Sequence, residues 1–390
     1  MAITVLILIP YYLPGCNAGG PTRTIANLVE HLGDEINLKI VTSDHDYKNP
    51  TPYQGINIDC WNRVGKAKVF YCSKNTLSAK HFTDLLNETE HDILYLNGLF
   101  EYNFCIKVLL LIKLSKNYGK SIIMAPRGVL SKGALSLKTR KKKLFLILSK
   151  FLNLYSNIVW HAASNNELAD IKNNIGEHAN NAHMIPNLSA PFSDNCCTEN
   201  HIKIPGNINI VLLGRISPMK NIKGALSILQ KVKGNINFHI YGPMEDAEYW
   251  AHCQKQINNM PDNISVKYMG AVDTSQVRET LSAYDLFFLP TLGENFGHVI
   301  IEALLASCPV LISDQTPWRN LESKGVGWDL PLDNGQLFVS TIERIIMMDT
   351  KQLQELRTAT RKYAEHRSIT DNLLNKEKYI KLFQQHQRQA

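Results

Sequence analysis

Several features are missing from this chain of 390 residues, and each absence removes a class of protein. No run of about 18 residues is uninterruptedly apolar, because Lys113 and Lys150 break the two best candidates, so no bilayer-spanning helix is expected. The apolar start, Met1-Ala-Ile-Thr-Val-Leu-Ile-Leu-Ile-Pro10, lacks a basic leader and a small-residue cleavage site. It reads as a first strand closed by Pro10 and not as a secretion signal. The eight cysteines (Cys16, Cys60, Cys72, Cys105, Cys196, Cys197, Cys253 and Cys308) form no Cys-x-x-Cys pair, and no histidine stands at ligand spacing. They are expected to be buried, reduced thiols of a cytoplasmic protein. No Gly-x-Gly-x-x-Gly joins a strand to a helix, which argues against a dinucleotide-binding dehydrogenase. Short repeats and low-complexity tracts are absent too.

Charge is also scarce, at 20% of residues against 44% hydrophobic, a globular composition on a chain long enough for two domains. The net charge of +7 is unevenly placed. Residues 1–190 carry 21 basic and 14 acidic side chains, residues 191–390 carry 21 of each, and residues 101–150 alone hold 12 basic side chains against Glu101. The excess is therefore a local patch and not a general affinity for polyanions. Its segment 132–154 is cationic first and apolar at helical spacing afterwards. That pattern fits a solvated helix end leading into a core helix, or a surface for an anionic membrane. Nucleic acid is not expected, since no aromatic residues interleave the charges.

Short apolar runs alternate with longer stretches of helical spacing, the pattern of an α/β chain with parallel sheets. Strands are expected at Thr4–Ile9, Leu38–Thr42, Ile93–Asn97, Ser121–Ala125, Ile158–Ala162 and His183–Ile185. A second series is expected at Ile208–Leu213, Asn237–Tyr241, Ser265–Tyr268, Leu286–Leu289 and Val310–Ile312. Helices fit Thr22–Leu32, Asn103–Lys116, Ala134–Leu154, Lys223–Val232, Ala247–Asn258, Ser275–Ala283 and Gly297–Ala306. Beyond about residue 333 the chain reads as polar helix. A polar, aperiodic segment with Pro186 and Pro191 divides the two series. The expected organisation is a first domain over 1–187, a linker over 188–206 and a second domain over 207–371. Two such units leave a cleft at the carboxyl ends of their strands, where open sheets bind ligands.

The most informative segment is Thr291-Leu-Gly-Glu-Asn-Phe-Gly-His-Val-Ile-Ile-Glu-Ala-Leu-Leu305. A strand runs into a turn holding Gly293 and Gly297, then into a helix that faces the core with Val299, Ile300, Ala303 and Leu304. At about 100° per residue, Glu294 and Glu302 differ by about 80° around the axis, so both carboxylates are expected to border the cleft at different depths. Amides at Asn295–Gly297 would meet a phosphate or a sugar hydroxyl. An ordinary capped helix with Glu in its first turn fits the same letters. In Leu213-Gly-Arg-Ile-Ser-Pro-Met-Lys220, Arg215 and Lys220 follow the first strand of the same half. A forked guanidinium beside a mobile ammonium suits a diphosphate, and a solvated basic turn is the plainer alternative.

Together, Gly-Arg-x-x-x-x-Lys ending at Lys220 and Glu-x-Phe-Gly-x-x-x-x-Glu-Ala starting at Glu294 resemble the group-1 retaining glycosyltransferases with the GT-B fold. Ile9-Pro-Tyr-Tyr-Leu-Pro14 with Gly19-Gly20-Pro21, Ala125-Pro-Arg-Gly-Val-Leu130, Trp160-His-Ala-Ala-Ser-Asn-Asn-Glu167 and Ile240-Tyr-Gly-Pro243 extend the resemblance over nearly the whole chain. It implies two Rossmann-like domains with parallel sheets facing a cleft, and a C-terminal helix at about 372–390 that packs back on the first. It implies a donor diphosphate held by Arg215 and Lys220, and sugar hydroxyls bound by Glu294. Backbone amides of Asn295, Phe296 and Gly297 would face sugar and phosphate, with ribose hydroxyls on Glu302 and Gly242 near the base. Gly19 and Gly20 would let the first loop approach the phosphates.

Where many relatives have His, this chain has Arg127, which could bind an acceptor or merely anchor a strand end; Asn97 could also touch the acceptor. His161 is expected to be structural. The reaction implied is transfer, with retention, from a nucleotide diphosphate sugar to a glycan or lipid-linked acceptor in surface polysaccharide assembly. Neither metal nor other cofactor is needed, and the place is the cytoplasm or the inner face of its membrane. Asp44-His45-Asp46 matches a metal-binding Asp-x-Asp in letters only. A nucleotide-sugar 2-epimerase and a non-catalytic basic protein binding membranes or nucleic acid are the alternatives.

Overall fold

The structure, a computed structural model, describes residues 3–115, 118–136, 139–192 and 202–387. It contains two compact units, one made of Met1–Ser189 with Asp371–Ala390 and one of Ala190–Thr370. Residues 193–201 of the expected linker, with Cys196 and Cys197, lie outside the described residues.

The first unit is built on eight strands: β1 Thr4–Leu8, β2 Asn37–Ser43, β3 Trp61–Val64, β4 Ala67–Cys72, β5 Ile93–Asn97, β6 Ser121–Ala125, β7 Ile158–Ala162 and β8 Ala182–Met184. They lie in the order β3-β4-β2-β1-β5-β6-β7-β8. Among these strands only β3 and β4, in the described residues, pair antiparallel. The continuous apolar runs follow from burial on both faces. Along β1, Val5 and Ile7 enter one core with Ile25, Leu28 and Leu32 of the helix Gly20–Leu32. Leu6 and Leu8 enter the other, with Phe82 and Leu86 of the helix Ala79–Glu88.

The second unit has β9 Asn207–Leu213, β10 Asn235–Tyr241, β11 Ile264–Gly270, β12 Leu286–Leu289, β13 Val310–Ser313 and β14 Gly327–Leu330, all parallel. Their order is β11-β10-β9-β12-β13-β14, the doubly wound arrangement. The helix Thr350–His386 runs to Thr370 in this unit and from Asp371 in the first, where Tyr379, Leu382 and Phe383 join the core.

The expected strands are present, and three more appear. β3 and β4 form a hairpin through Gly65, at φ 55°, whose outer strand is half exposed along its length. β14 has only four residues at the sheet edge. The expected helix from Asn103 opens as a π-helical turn, Tyr102–Ile106, before continuing as Lys107–Leu114. That from Ala134 is helical over Lys132–Ser136 and Thr139–Phe151, with residues 137–138 of it outside the described residues. Of the described cysteines, Cys72, Cys105, Cys253 and Cys308 are buried, whereas Cys16 and Cys60 lie on loops and are exposed, correcting the expectation that all are interior.

In each sheet the strand order reverses once, between β1 and β5 and between β9 and β12. Connections leave such a pair of strands in opposite directions, which opens a crevice beyond their carboxyl ends.

Candidate functional site

At the reversal in the second unit, three loops are tied together by backbone bonds. The loop after β9 receives the amide of Leu292 on the Met219 carbonyl at 2.9 Å. The Thr291 hydroxyl donates to the same carbonyl at 2.9 Å, and Asn221 Nδ2 donates to Pro290 O at 2.8 Å. Asn221 adopts a left-handed conformation and caps the helix Ile222–Leu229 through Gly224 N. On the other flank, Ile216 N donates to Pro243 O at 3.0 Å. A Cβ on Gly242 would lie 1.9 Å from Gly214 O at φ 143°, so only glycine lets β10 and β9 end this close together.

This frame fixes the two predicted cations. Lys220 Nζ is bonded to Glu294 Oε1, both side chains being largely buried. Arg215 Nη1 donates to Glu245 Oε1 at 3.0 Å, in a more exposed pair. The structure thus joins Arg215, Lys220, Glu294 and Gly242 on adjoining loops. Glu294 precedes the helix instead of standing in its first turn.

Gly297, at φ 78° and in the left-handed region, starts the helix His298–Leu305. A Cβ there would meet Ile300 Cδ1 at 2.8 Å. Because Asn295–Gly297 are not helical, the 80° relation expected between Glu294 and Glu302 does not apply; Glu302 lies in the second helical turn, half-buried. In its first turn Ile300 N donates to Gly297 O at 2.9 Å, and the positive end of the helix dipole at this start favours an anion or a hydroxyl oxygen. Phe296 is held from behind by Trp318, whose Nε1 donates to Phe296 O at 2.7 Å. Trp318, Thr291 and Glu245 are contributors that motif reading missed. Glu245, three residues beyond Gly242, carried only the signal of an acid on a strand-end loop.

In the first unit, Asn97 ends β5 and Arg127 follows β6, at φ 63°. Arg127 donates from Nε (2.9 Å) and Nη2 (2.6 Å) to Asn97 Oδ1, from Nη1 to Asn187 Oδ1 at 2.9 Å, and from Nη2 to the Tyr95 hydroxyl at 2.9 Å. Four of a guanidinium's five N–H donors are thereby engaged inside the unit. Asn97 is buried, and its Nδ2 donates to Tyr95 O at 3.2 Å. Glu167 steadies the same corner, accepting from Gly128 N at 2.5 Å and Ala163 N at 2.7 Å.

His161 lies beneath this corner: its Nε2 donates to Ile185 O at 2.8 Å, which leaves Nδ1 to accept from the Tyr95 hydroxyl at 2.6 Å. Burial, and then the Arg127 charge, lower its pKa to about 3, so it is a neutral structural residue.

Gly19, at φ 74°, closes the loop after β1 before the helix Gly20–Leu32. Gly20 has ordinary φ and open space where a Cβ would lie, so glycine is required only at Gly19. Asp46 shapes this loop by accepting from the amides of Cys16 and Asn17 at 3.0 and 3.1 Å. Asp44 bonds the His45 ring at 2.7 Å, and the two carboxylates serve separate local partners.

Residues 199–367 match the model of the family described as glycosyl transferases group 1. Among solved structures, sucrose-phosphate synthase from Thermosynechococcus elongatus superposes with a TM-score of 0.73 at 16% identity, covering 98% of this chain and 99% of that one. Anabaena Alr3699/HepE in complex with UDP-glucose gives a TM-score of 0.66 at 16% identity, with 97% and 100% covered. A sequence relative, described as an uncharacterized 41.2 kDa protein in the cps region of Klebsiella pneumoniae, is 21% identical over 342 residues, 82% of this chain and 89% of its own length.

Proposed function

We propose that the protein, whose residues 199–367 match the model of the group-1 glycosyl transferases and whose chain has the GT-B fold, transfers a sugar from a nucleoside diphosphate sugar to a hydroxyl of a glycan or lipid-linked oligosaccharide. The observation that carries this reading is the meeting of Arg215, Lys220 and Glu294 at the β9/β12 reversal, inside the matched segment. Surface polysaccharide assembly as the setting is supported by the relative in a cps region, and a uridine-linked donor by the UDP-glucose bound in Alr3699/HepE.

Both cations are held by carboxylates before a donor arrives. A diphosphate draws Lys220 and Arg215 onto its oxygens. Glu294, released from Lys220, then accepts hydroxyls of the transferred sugar. As the bond from sugar to phosphate lengthens, negative charge grows on the leaving diphosphate, where Arg215, Lys220 and the amides at the start of the helix His298–Leu305 stabilise it. Fixed cations and helix amides supply the charge that a metal would otherwise bring, so transfer proceeds without one. The leaving oxygen takes the proton of the acceptor hydroxyl on the same face, which retains the anomeric configuration with no enzyme nucleophile. Arg127 and Asn97 act on the acceptor side by fixing the strand ends of the first unit.

A thermal-shift panel of UDP-, GDP-, ADP- and dTDP-sugars tests the donor assignment, since a ligand of the native state alone raises its stability. Lys220→Ala and Arg215→Ala are expected to lower turnover roughly a hundred- to a thousandfold. Near-normal turnover in both overturns the assignment, as does conversion of the sugar nucleotide itself in the absence of any acceptor.

A further inference from the structure

No Asp or Glu occurs between Glu101 and Glu167, and the helix Thr139–Phe151 lies within that acid-free stretch. One side of the helix is used internally. Leu146 and Ser149 are buried, Phe145 meets Phe100 edge-on with centroids 5.7 Å apart, and Lys142 donates to Ala134 O at 2.6 Å. The opposite side carries Leu144, Ile147, Leu148, Phe151 and Leu152. This is the i, i+3, i+4, i+7, i+8 stripe that ordinarily faces a core. Here these five side chains are 47–85% exposed.

Exposed Arg140 and Lys141 continue the same face one turn earlier, and exposed Lys143 and Lys150 run along one flank. The stripe stops where the chain turns inward. Leu154 N donates to Ser149 O and Asn153 N to Lys150 O, each at 2.9 Å, around Asn153 at φ 51°, a Schellman ending.

The charges select what covers this face. A second copy would set the cations against their own equivalents with no acid on the helix to pair them. A nucleic acid would satisfy the cations but leave four aliphatic side chains and a lone aromatic against its phosphates. An anionic bilayer meets both requirements, with ammonium and guanidinium groups among the headgroups and the apolar stripe at the acyl boundary. We propose that the helix Thr139–Phe151 is a docking surface for an anionic phospholipid bilayer and lies in the plane of its interface. The proposal stands on this helix alone and does not depend on the transferase reading.

Flotation of the full chain on extruded vesicles tests it. The protein should float with vesicles of about one-third phosphatidylglycerol in phosphatidylcholine, remain behind with phosphatidylcholine alone, and lose binding as salt shortens the screening length. The pair Ile147→Ser/Phe151→Ser should abolish flotation. The pair Lys141→Gln/Lys143→Gln should weaken partitioning by about fivefold per cation removed. Thermal unfolding should remain unchanged in both, because every altered side chain is exposed. Failure to float on anionic vesicles, equal flotation on neutral ones, or wild-type flotation of the serine pair overturns the proposal. A dimer that the serine pair converts to monomer, or salt-sensitive RNA binding without flotation, also overturns it by assigning the face to another partner.

Discussion

His161 offers a thermodynamic test of how the first unit is packed, because its only proton is committed to Ile185 O and its free lone pair to Tyr95. A second proton would break the bond from Tyr95 and place a cation beside the Arg127 guanidinium without water around it. Burial first and that charge second hold the pKa at about 3, against 6.5 for an ordinary histidine. The unfolded chain therefore takes up a proton that the folded chain refuses throughout this window. The resulting stability is complete above the unfolded value and is lost as pH falls from 6.5 towards 3. At about pH 5 the loss from this one group is about 2 kcal/mol.

The assay is urea unfolding of the parent chain and of His161→Gln, each at about pH 7.5 and about pH 5. Glutamine can keep both bonds, its amide donating to Ile185 O and its carbonyl accepting from Tyr95, but cannot titrate. His91, whose pKa burial lowers to about 4, titrates in both proteins and cancels in the comparison. The parent should lose about 2 kcal/mol more than the variant between the two pH values. Equal losses would refute the neutral, doubly bonded histidine.

Two further outcomes follow from packing. Arg127→Met removes the donors that satisfy Asn97 Oδ1 and Asn187 Oδ1. It should destabilise the chain by about 2–5 kcal/mol, read from urea unfolding; a loss below about 1 kcal/mol with a selective loss of acceptor affinity would instead make Arg127 a ligand-binding residue. Gly242→Ala drives a methyl group into Gly214 O and should cost at least about 3 kcal/mol while weakening any donor-induced rise in melting temperature. An unchanged melting temperature with an intact donor response would contradict the close approach of β9 and β10.

Most strands could be read from the sequence because a strand buried on both faces is a continuous apolar run bounded by turn residues, as in Thr4–Leu8 or Leu286–Leu289. β3 escaped because an edge strand needs no such run, and Trp61-Asn-Arg-Val64 is half exposed along its length. At the site, Arg215, Lys220 and Glu294 stood out as letters, but the bond between Lys220 and Glu294 spans 74 positions. It exists because β12 lies beside β9 while β10 and β11 lie on the other side, an ordering that local patterns do not encode. Helical phase misled between Glu294 and Glu302 because one left-handed residue, Gly297, resets the direction of the chain before the helix begins.

The same limit explains the stripe from Leu144 to Leu152. Periodicity tells which side chains share a face, and it applies equally to a face turned toward a core and to one turned toward water. What fixes the direction is competition for the interior. Leu146 and Phe145 on the opposite side pack against the first unit, and the Schellman ending at Asn153 returns Leu154 and Tyr155 to the same core. With the inward side occupied by these residues, the longer apolar stripe is left facing out among lysines, the kind of exposed patch that marks an interaction surface.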